Sequence, residues 1–166
     1  MESILFTPIR LGGVAVANRF VRSATHEFMA EEDDGAPTAR HVELFERLAE
    51  GEVGLIITGH AYVQPIGKAS PRQTGIHDDR LVEPLSRIPP AVHKHASKIF
   101  VQIAHAGRKA SREAPWGSGP AVPGWTCLAP SAEAFEGFAI PTYEACFAAY
   151  LAAARLTNPA ARFAGV

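Results

Sequence analysis

The sequence predicts an α/β protein built around a mainly parallel β-sheet. Two apolar runs, residues 53–58 and 98–103, are continuous rather than alternating, which is typical of strands buried on both faces of such a sheet. A segment with helical spacing of its apolar residues precedes each run. The order of a short hairpin followed by three strand–helix units implies right-handed β/α connections.

The chain opens with a predicted β-hairpin. Residues 9–11 and 14–16 alternate in period two around Gly12 and Gly13, and a Gly-Gly pair supplies the positive φ angles of a tight turn. Residues 20–24 follow as a predicted strand. A charged loop then leads to the first helix, and we assign it no functional role.

The first helix is predicted between Thr38, which can cap its N-terminus, and Gly51, where a C-terminal cap belongs. Leu44, Phe45 and Leu48 recur at helical spacing, so one face of this helix is expected to be buried. A second helix is predicted to begin at Asp78 or Asp79.

The two adjacent prolines, Pro89 and Pro90, must break or kink the second helix before a further helical turn resumes to His95. Residues 98–103 are then expected to form another buried strand. The following loop, residues 104–141, is rich in Gly, Pro and Ser, and loops of that length are usually functional or disordered.

The last segment predicts one more helix and the beginning of a strand. Thr142 is expected to cap this helix, which carries Phe147, Tyr150 and Leu151 on one face. Residues 163–166 look like the entry to a fourth strand of the sheet.

Composition excludes several classes of protein. The net charge of −1 comes without clustered Lys and Arg, so a nucleic-acid partner is not expected. No apolar stretch approaches the roughly 20 residues that cross a bilayer, and the first residues are not the basic start of a signal peptide, so we expect a cytoplasmic location and no membrane partner. Cys127 and Cys146 have neither the number nor the spacing of a disulfide framework or a zinc site, and no metal site is predicted.

Length leaves two architectures open. A closed (β/α)₈ barrel typically needs about 250 residues, so the 166 residues of this chain would supply only part of one. A small doubly wound sheet, in contrast, could be complete at this length.

Three segments favour the barrel, because their order and spacing resemble the Old Yellow Enzyme family, also called NADH:flavin oxidoreductases. They are residues 5–27, which begin with LFTPI and end with NRFVRSATHE, then GEVGLIITGH at residues 51–60 and IFVQIAHAGR at residues 99–108. The tripeptide at residues 129–131 is similar to a further family element. The resemblance implies a partial (β/α)₈ TIM barrel, with the hairpin, strands one to three and the start of strand four. Residues 1–166 would then be the truncated N-terminal portion of a single FMN-binding barrel domain.

The resemblance also implies that FMN lies at the C-terminal mouth of the barrel, where its ring contacts the ends of the strands. The cofactor-binding residues that follow from it are Ser23, Ala24, Thr25 and His26 on strand one, Gly59 and His60 on strand two, Gln102 on strand three, and Arg108, with His105, in the next loop.

An amide at the end of strand three can both donate to and accept from the pyrimidine edge of a flavin. Taken alone, Gln102 would be an ordinary exposed strand terminus, and Thr25, His26 and Gly59 would be plain loop or turn residues. Their shared placement at strand C-termini favours function, since barrel chemistry lies on that face.

The activity that the resemblance implies is hydride transfer from NADH or NADPH to FMN, and from there to an activated alkene such as an enone. The family's His/Asn pair and its proton-donating Tyr would lie beyond Val166, so no catalytic residue is assigned within this chain. We therefore expect the isolated chain to be incomplete and to bind FMN weakly.

The alternative hypothesis is a non-catalytic barrel half that acts as an interaction module. Half a barrel would expose edge strands and apolar faces, which favours a homo-oligomer or docking to a complementary half.

Overall fold

The computed structural model describes residues 3–117, 125–129, 131, 133–135 and 142–143. The chain divides into two compact units. Unit 1 comprises Met1–Ala61 and Arg72–Ile103, and unit 2 comprises Tyr62–Pro71 and Ala104–Val166.

The predicted hairpin is confirmed. A 3₁₀ turn at Ile4–Phe6 precedes strands β1 (Ile9–Leu11) and β2 (Val14–Val16), which pair antiparallel. Gly12 has a φ of 57°, whereas Gly13 is not in the left-handed region. The turn therefore uses the conformational freedom of only one of its two glycines.

Three strands form one sheet and lie in chain order: β3 (Val21–Arg22), β4 (Leu55–Tyr62) and β5 (Lys98–Ala104). β3 pairs parallel with β4. At the start of β5, Lys98 N donates to Gly54 O at 3.0 Å, and at its end Val63 N donates to Ala104 O at 3.1 Å. The partner positions therefore increase along both strands, so β5 also runs parallel to β4. The predicted α/β class with a parallel sheet is confirmed.

The strand boundaries differ from those predicted. β3 is shorter than residues 20–24, and β4 begins at Leu55 and continues to Tyr62. Gly59 and His60 therefore lie inside β4 rather than at its last residues. Within the strand, Gly59 makes a close packing contact and forms no turn.

β5 is confirmed as a strand, but the prediction that it is buried is wrong. Phe100 and Val101 are 41% and 49% exposed. In the part of the sheet that the structure describes, β5 is an edge strand with β4 as its hydrogen-bonded neighbour. A strand with one neighbour leaves apolar side chains in contact with solvent.

Helix α1 (Ala39–Glu50) begins after Thr38 and ends at Gly51, as predicted. Its buried residues include Phe45 and Ala49. No helix in the described ranges is long and apolar enough to cross a bilayer.

The second helical segment is broken as its prolines predict. Asp78 caps a 3₁₀ turn that leads into α2 (Val82–Ser86), and α3 (Ile88–His93) follows. Pro89 and Pro90 lie in the first turn of α3, where the missing N–H groups have no intrahelical partner to lose.

The core of unit 1 forms where α1 and α3 pack on β4. Its buried side chains are Phe45, Ala49, Ile56, Ile88 and Val92. Burial of each large apolar side chain contributes roughly 1.5–3 kcal/mol. This packing fixes the position of β4, and with it the residues at its carboxyl end.

In unit 2, β6 (Leu128–Ala129) pairs parallel with β7 (Thr142–Tyr143). Thr142 is thus part of a strand pair, and its predicted role as a helix cap is wrong, because its backbone pairs with β6. The helix expected around residues 147–154 and the strand expected at residues 163–166 lie outside the described residues. Cys127 is a buried packing residue whose thiol donates to Ala110 O.

Candidate functional site

The carboxyl ends of β3 and β4 bring the predicted residues of both strands together. His26 follows β3, His60 lies in β4, and their ring centroids are 5.1 Å apart in an edge-to-face arrangement. These residues and their neighbours are called the strand-end cluster, which consists of Thr25, His26, Glu27, Phe28, Gly59 and His60.

Gly59 is needed for the close approach of the segment that follows β3. A Cβ at this position would lie 2.6 Å from Thr25 O and 2.3 Å from Glu27 Oε2. Since backbone cannot yield as a flexible side-chain end can, any larger residue would separate the two strand ends. The prediction of a special role for Gly59 thus has a packing reason in this structure.

Glu27 belongs to the cluster, although the sequence analysis assigned it no role. Its Oε1 accepts a hydrogen bond from Gly59 N at 3.1 Å. Burial raises the pKa of the Glu27 carboxyl group, while the Gly59 N–H and the positive charge of Arg22 act in the opposite direction. The sequence signal that could have identified it is an acidic residue next to His26, directly after a predicted strand.

His26 stacks on Phe28 with ring centroids 3.6 Å apart and an interplanar angle of 22°. Phe28 has a φ of 53°, in the left-handed region that bulky residues rarely adopt. Backbone strain of this kind costs on the order of 1–3 kcal/mol and is concentrated at functional sites. The strained residue is consistent with a functional role for the turn after β3.

His60 is half-buried, and burial lowers the pKa of its imidazole. The neutral ring is thus favoured at neutral pH. Its carbonyl oxygen accepts a hydrogen bond of 2.8 Å from Gln73 Nε2, and the Gln73 side chain is fully buried. Gln73 was missed by the sequence analysis, because nothing in the local pattern of residues 72–75 distinguishes it from an ordinary loop residue.

Gln102 lies near the end of β5, with an exposed side chain. Its backbone N donates to Thr58 Oγ1 at 3.2 Å, and Thr58 Oγ1 donates to Gly59 O at 2.8 Å. The Thr58 hydroxyl therefore connects the end of β5 to the strand-end cluster. This second supporting residue was also missed.

Ser23 and Ala24 form the link between β3 and the cluster. Ser23 O accepts hydrogen bonds from the Arg22 guanidinium group and, at 3.2 Å, from Thr25 Oγ1. The side chains of Ser23 and Thr25 are exposed and Ala24 is half-buried. Short side chains in this segment leave its backbone open to a ligand.

Arg108 and His105 belong to unit 2. Arg108 Nη2 donates to Ser131 Oγ at 2.8 Å. The His105 ring packs on Gly67 so closely that a Cβ on Gly67 would lie 2.2 Å from it. Burial lowers the pKa of His105. The hydrogen bond to Ser131 holds the Arg108 side chain within this unit, and its role toward the cofactor stays a prediction.

Comparison with known proteins gives consistent matches. The model of the NADH:flavin oxidoreductase / NADH oxidase family matches residues 4–134. An NADPH dehydrogenase of Halalkalibacterium halodurans is 33% identical over 141 residues, which are 85% of this chain and 38% of that protein. An NADPH dehydrogenase of Bacillus subtilis is 36% identical over 136 residues, which are 82% and 37% of the two chains.

A solved structure is also similar. The Old Yellow Enzyme from Pichia sp. AKU4542 matches with a TM-score of 0.67 and 30% identity, over 80% of this chain and 33% of that one. The chain therefore spans less than two fifths of the length of these relatives.

Proposed function

Because the chain belongs to the NADH:flavin oxidoreductase / NADH oxidase family, we propose that its strand-end cluster forms part of the FMN site of an Old Yellow Enzyme-type reductase. The family is one of oxidoreductases that use FMN together with a nicotinamide cofactor. The reaction we propose is the reduction of an activated alkene, such as an enone, with hydride from NADPH or NADH. In this proposal, residues 1–166 supply the hairpin and the first three strands of a (β/α)₈ barrel.

The observation that carries the proposal is the common location of three sets of residues. Residues 23–26, the pair Gly59–His60 and Gln102 lie toward the carboxyl ends of three adjacent parallel strands. In parallel α/β folds, ligands bind at this edge of the sheet. The comparisons do not favour the alternative of a non-catalytic barrel half.

The residues present fit a flavin. Gln102 offers an exposed amide, which can donate to and accept from the N–H and C=O groups of a pyrimidine edge. Gly59 allows the backbone after β3 to lie close to β4, so that main-chain groups rather than side chains face the ligand. His60, favoured as the neutral imidazole, adds a hydrogen-bonding group without a fixed positive charge.

FMN bound at this site would supply the hydride transfer between the nicotinamide and the alkene. The described residues of this chain would bind and orient the ring through Gln102 and the backbone of residues 23–26. The stacked rings of His26 and Phe28 would exclude water from one side of the site. The assignment of Arg108 to the cofactor stays a prediction from the sequence.

The proposal is tested by titrating the purified protein with FMN and following flavin fluorescence. NADPH oxidation in the presence of cyclohexenone is assayed in the same sample, since the two bacterial relatives are NADPH dehydrogenases. We expect a saturable fluorescence change. A protein without flavin absorbance and without any response to added FMN would remove the cofactor assignment.

Gln102→Ala is expected to weaken FMN binding about tenfold, because hydrogen bonds to the cofactor edge are lost. Val101→Ala is the matched control, since Val101 is also exposed on β5 but points to the opposite face of the strand. Equal affinities of the two variants for FMN would exclude Gln102 from the site.

The cytoplasmic location and the expected self-association stay predictions.

A further inference from the structure

Glu27 is the acidic side chain of the strand-end cluster. Its Oε1 accepts from Gly59 N at 3.1 Å, and a Cβ on Gly59 would lie 2.3 Å from Oε2 of the same carboxyl group. The carboxyl group therefore packs directly on the Gly59 peptide, in a contact that a residue with a side chain could not make at position 59.

The residues on either side of this contact carry the aromatic rings of the cluster. His26 and Phe28 flank Glu27 in the sequence and stack on each other. His60 follows Gly59 and meets the His26 ring edge-on. A displacement of Gly59 relative to Glu27 would therefore move both histidine rings.

A carboxyl group is costly to bury unless it is hydrogen-bonded, and Glu27 is half-buried. Burial raises its pKa, so protonated Glu27 is more abundant than for an exposed glutamate. Both the neutral and the ionised form retain an oxygen that accepts from Gly59 N. The contact is thus available in either protonation state, and its role is to hold the backbone.

We propose that Glu27 is a positioning residue of the flavin site, whose carboxyl group fixes the Gly59–His60 backbone against the end of β3. The inference rests on the proposed function, because the ligand that benefits from the fixed backbone is FMN. Without an acceptor, the N–H of the buried Gly59 would be left unsatisfied, and β4 would lose this side-chain hydrogen bond to the segment after β3.

Two substitutions at position 27 test whether the side chain acts as the hydrogen-bond acceptor of Gly59 N. Glu27→Ala removes the acceptor, whereas Glu27→Gln keeps an oxygen of the same reach. In FMN titrations of the whole protein, we expect Glu27→Ala to bind about tenfold more weakly and Glu27→Gln to remain within about twofold of wild type. Glu31→Ala is the control, because Glu31 is an exposed acidic residue in the loop that follows.

A second measurement does not depend on FMN. Backbone amide exchange at Gly59, followed by NMR in the protein without cofactor, reports directly whether this N–H is protected. We expect exchange to be about tenfold faster in Glu27→Ala and close to wild type in Glu27→Gln.

Unchanged exchange and unchanged FMN affinity in Glu27→Ala would overturn the proposal, and so would a failure of glutamine to restore them. If Glu27→Ala does not fold, wild-type exchange at Gly59 in Glu27→Gln supports the proposal and faster exchange contradicts it. If the wild-type protein does not bind FMN, the proposed function is wrong. The comparison of amide exchange at Gly59 among the variants would still decide whether Glu27 fixes Gly59.

Discussion

His41 is expected to make the stability of the fold depend on pH. It lies in the first turn of α1, where its Nδ1 accepts from Thr38 N at 3.1 Å and its Nε2 lies 3.2 Å from Thr74 Oγ1. The ring is 2% exposed. Burial, with a smaller contribution from the charge of Arg40, lowers its pKa from 6.5 to about 4. Protonation would also replace the acceptor at Nδ1 with a second donor facing Thr38 N.

The size of the effect follows from the two pKa values. A histidine whose pKa is lowered on folding binds protons more tightly in the unfolded chain, so stability is lost as pH falls from about 6.5 towards 4. Between about pH 7 and about pH 5, His41 alone is expected to lower the free energy of unfolding by about 2 kcal/mol. Glu27, whose pKa is raised, acts in the opposite direction at lower pH.

Urea denaturation at a series of pH values, followed by circular dichroism, measures this loss. The informative variant is His41→Gln, because a glutamine side chain at this position can still accept from Thr38 N, as in a capping box, and does not titrate. We expect the pH-dependent loss to shrink by about 2 kcal/mol in this variant. His93→Gln, which changes an exposed histidine at the end of α3, is the control.

Comparing the variant with wild type cancels the contributions of other titrating groups. Parallel pH profiles of wild type and His41→Gln would refute the reasoning, since they would mean that His41 titrates alike in the folded and the unfolded chain. The reasoning would also be refuted if His93→Gln reduced the pH-dependent loss of stability as much as His41→Gln does.

Two glycine substitutions test the packing of the site. Gly59→Ala is expected to lower the free energy of unfolding by roughly 1–3 kcal/mol, because its Cβ would lie 2.6 Å from Thr25 O. Gly13→Ala is the control and should be nearly neutral, since nothing lies within 4 Å of a Cβ there. A lower urea midpoint for Gly13→Ala than for Gly59→Ala would contradict this. Gly67→Ala should destabilise unit 2 by a similar amount, because its Cβ would lie 2.2 Å from the His105 ring, and an unchanged urea midpoint would show that the ring can move aside.

Much of the fold could be predicted because its causes are local. The glycine turn of the first hairpin, the caps of α1 at Thr38 and Gly51, and the break of the second helix before Pro89 each depend on a few neighbouring residues. The burial of β5 could not be predicted in this way, because an apolar run specifies a strand without specifying how many neighbours cover it. Thr142 was predicted to cap a helix, but its backbone pairs with β6, a contact between distant segments that the local pattern does not show.

In the candidate site as well, some residues could be predicted from the sequence and others could not. The motifs at the strand ends identified the family and pointed to His26, Gly59, His60 and Gln102, since the order of strands along the chain already brings parallel carboxyl ends to one edge. The motifs include Glu27 and Thr58 without showing what these side chains contact, and they do not include Gln73.

The sequence by itself determined the local elements and the family of this protein. Only the tertiary structure decided that Glu27 caps the Gly59 peptide, 32 positions along the chain, and that Gln73 holds the His60 carbonyl, 13 positions away. Such contacts depend on the register between strands and on the path of the connecting loops, which follow from the packing of α1 and α3 on β4 rather than from neighbouring residues.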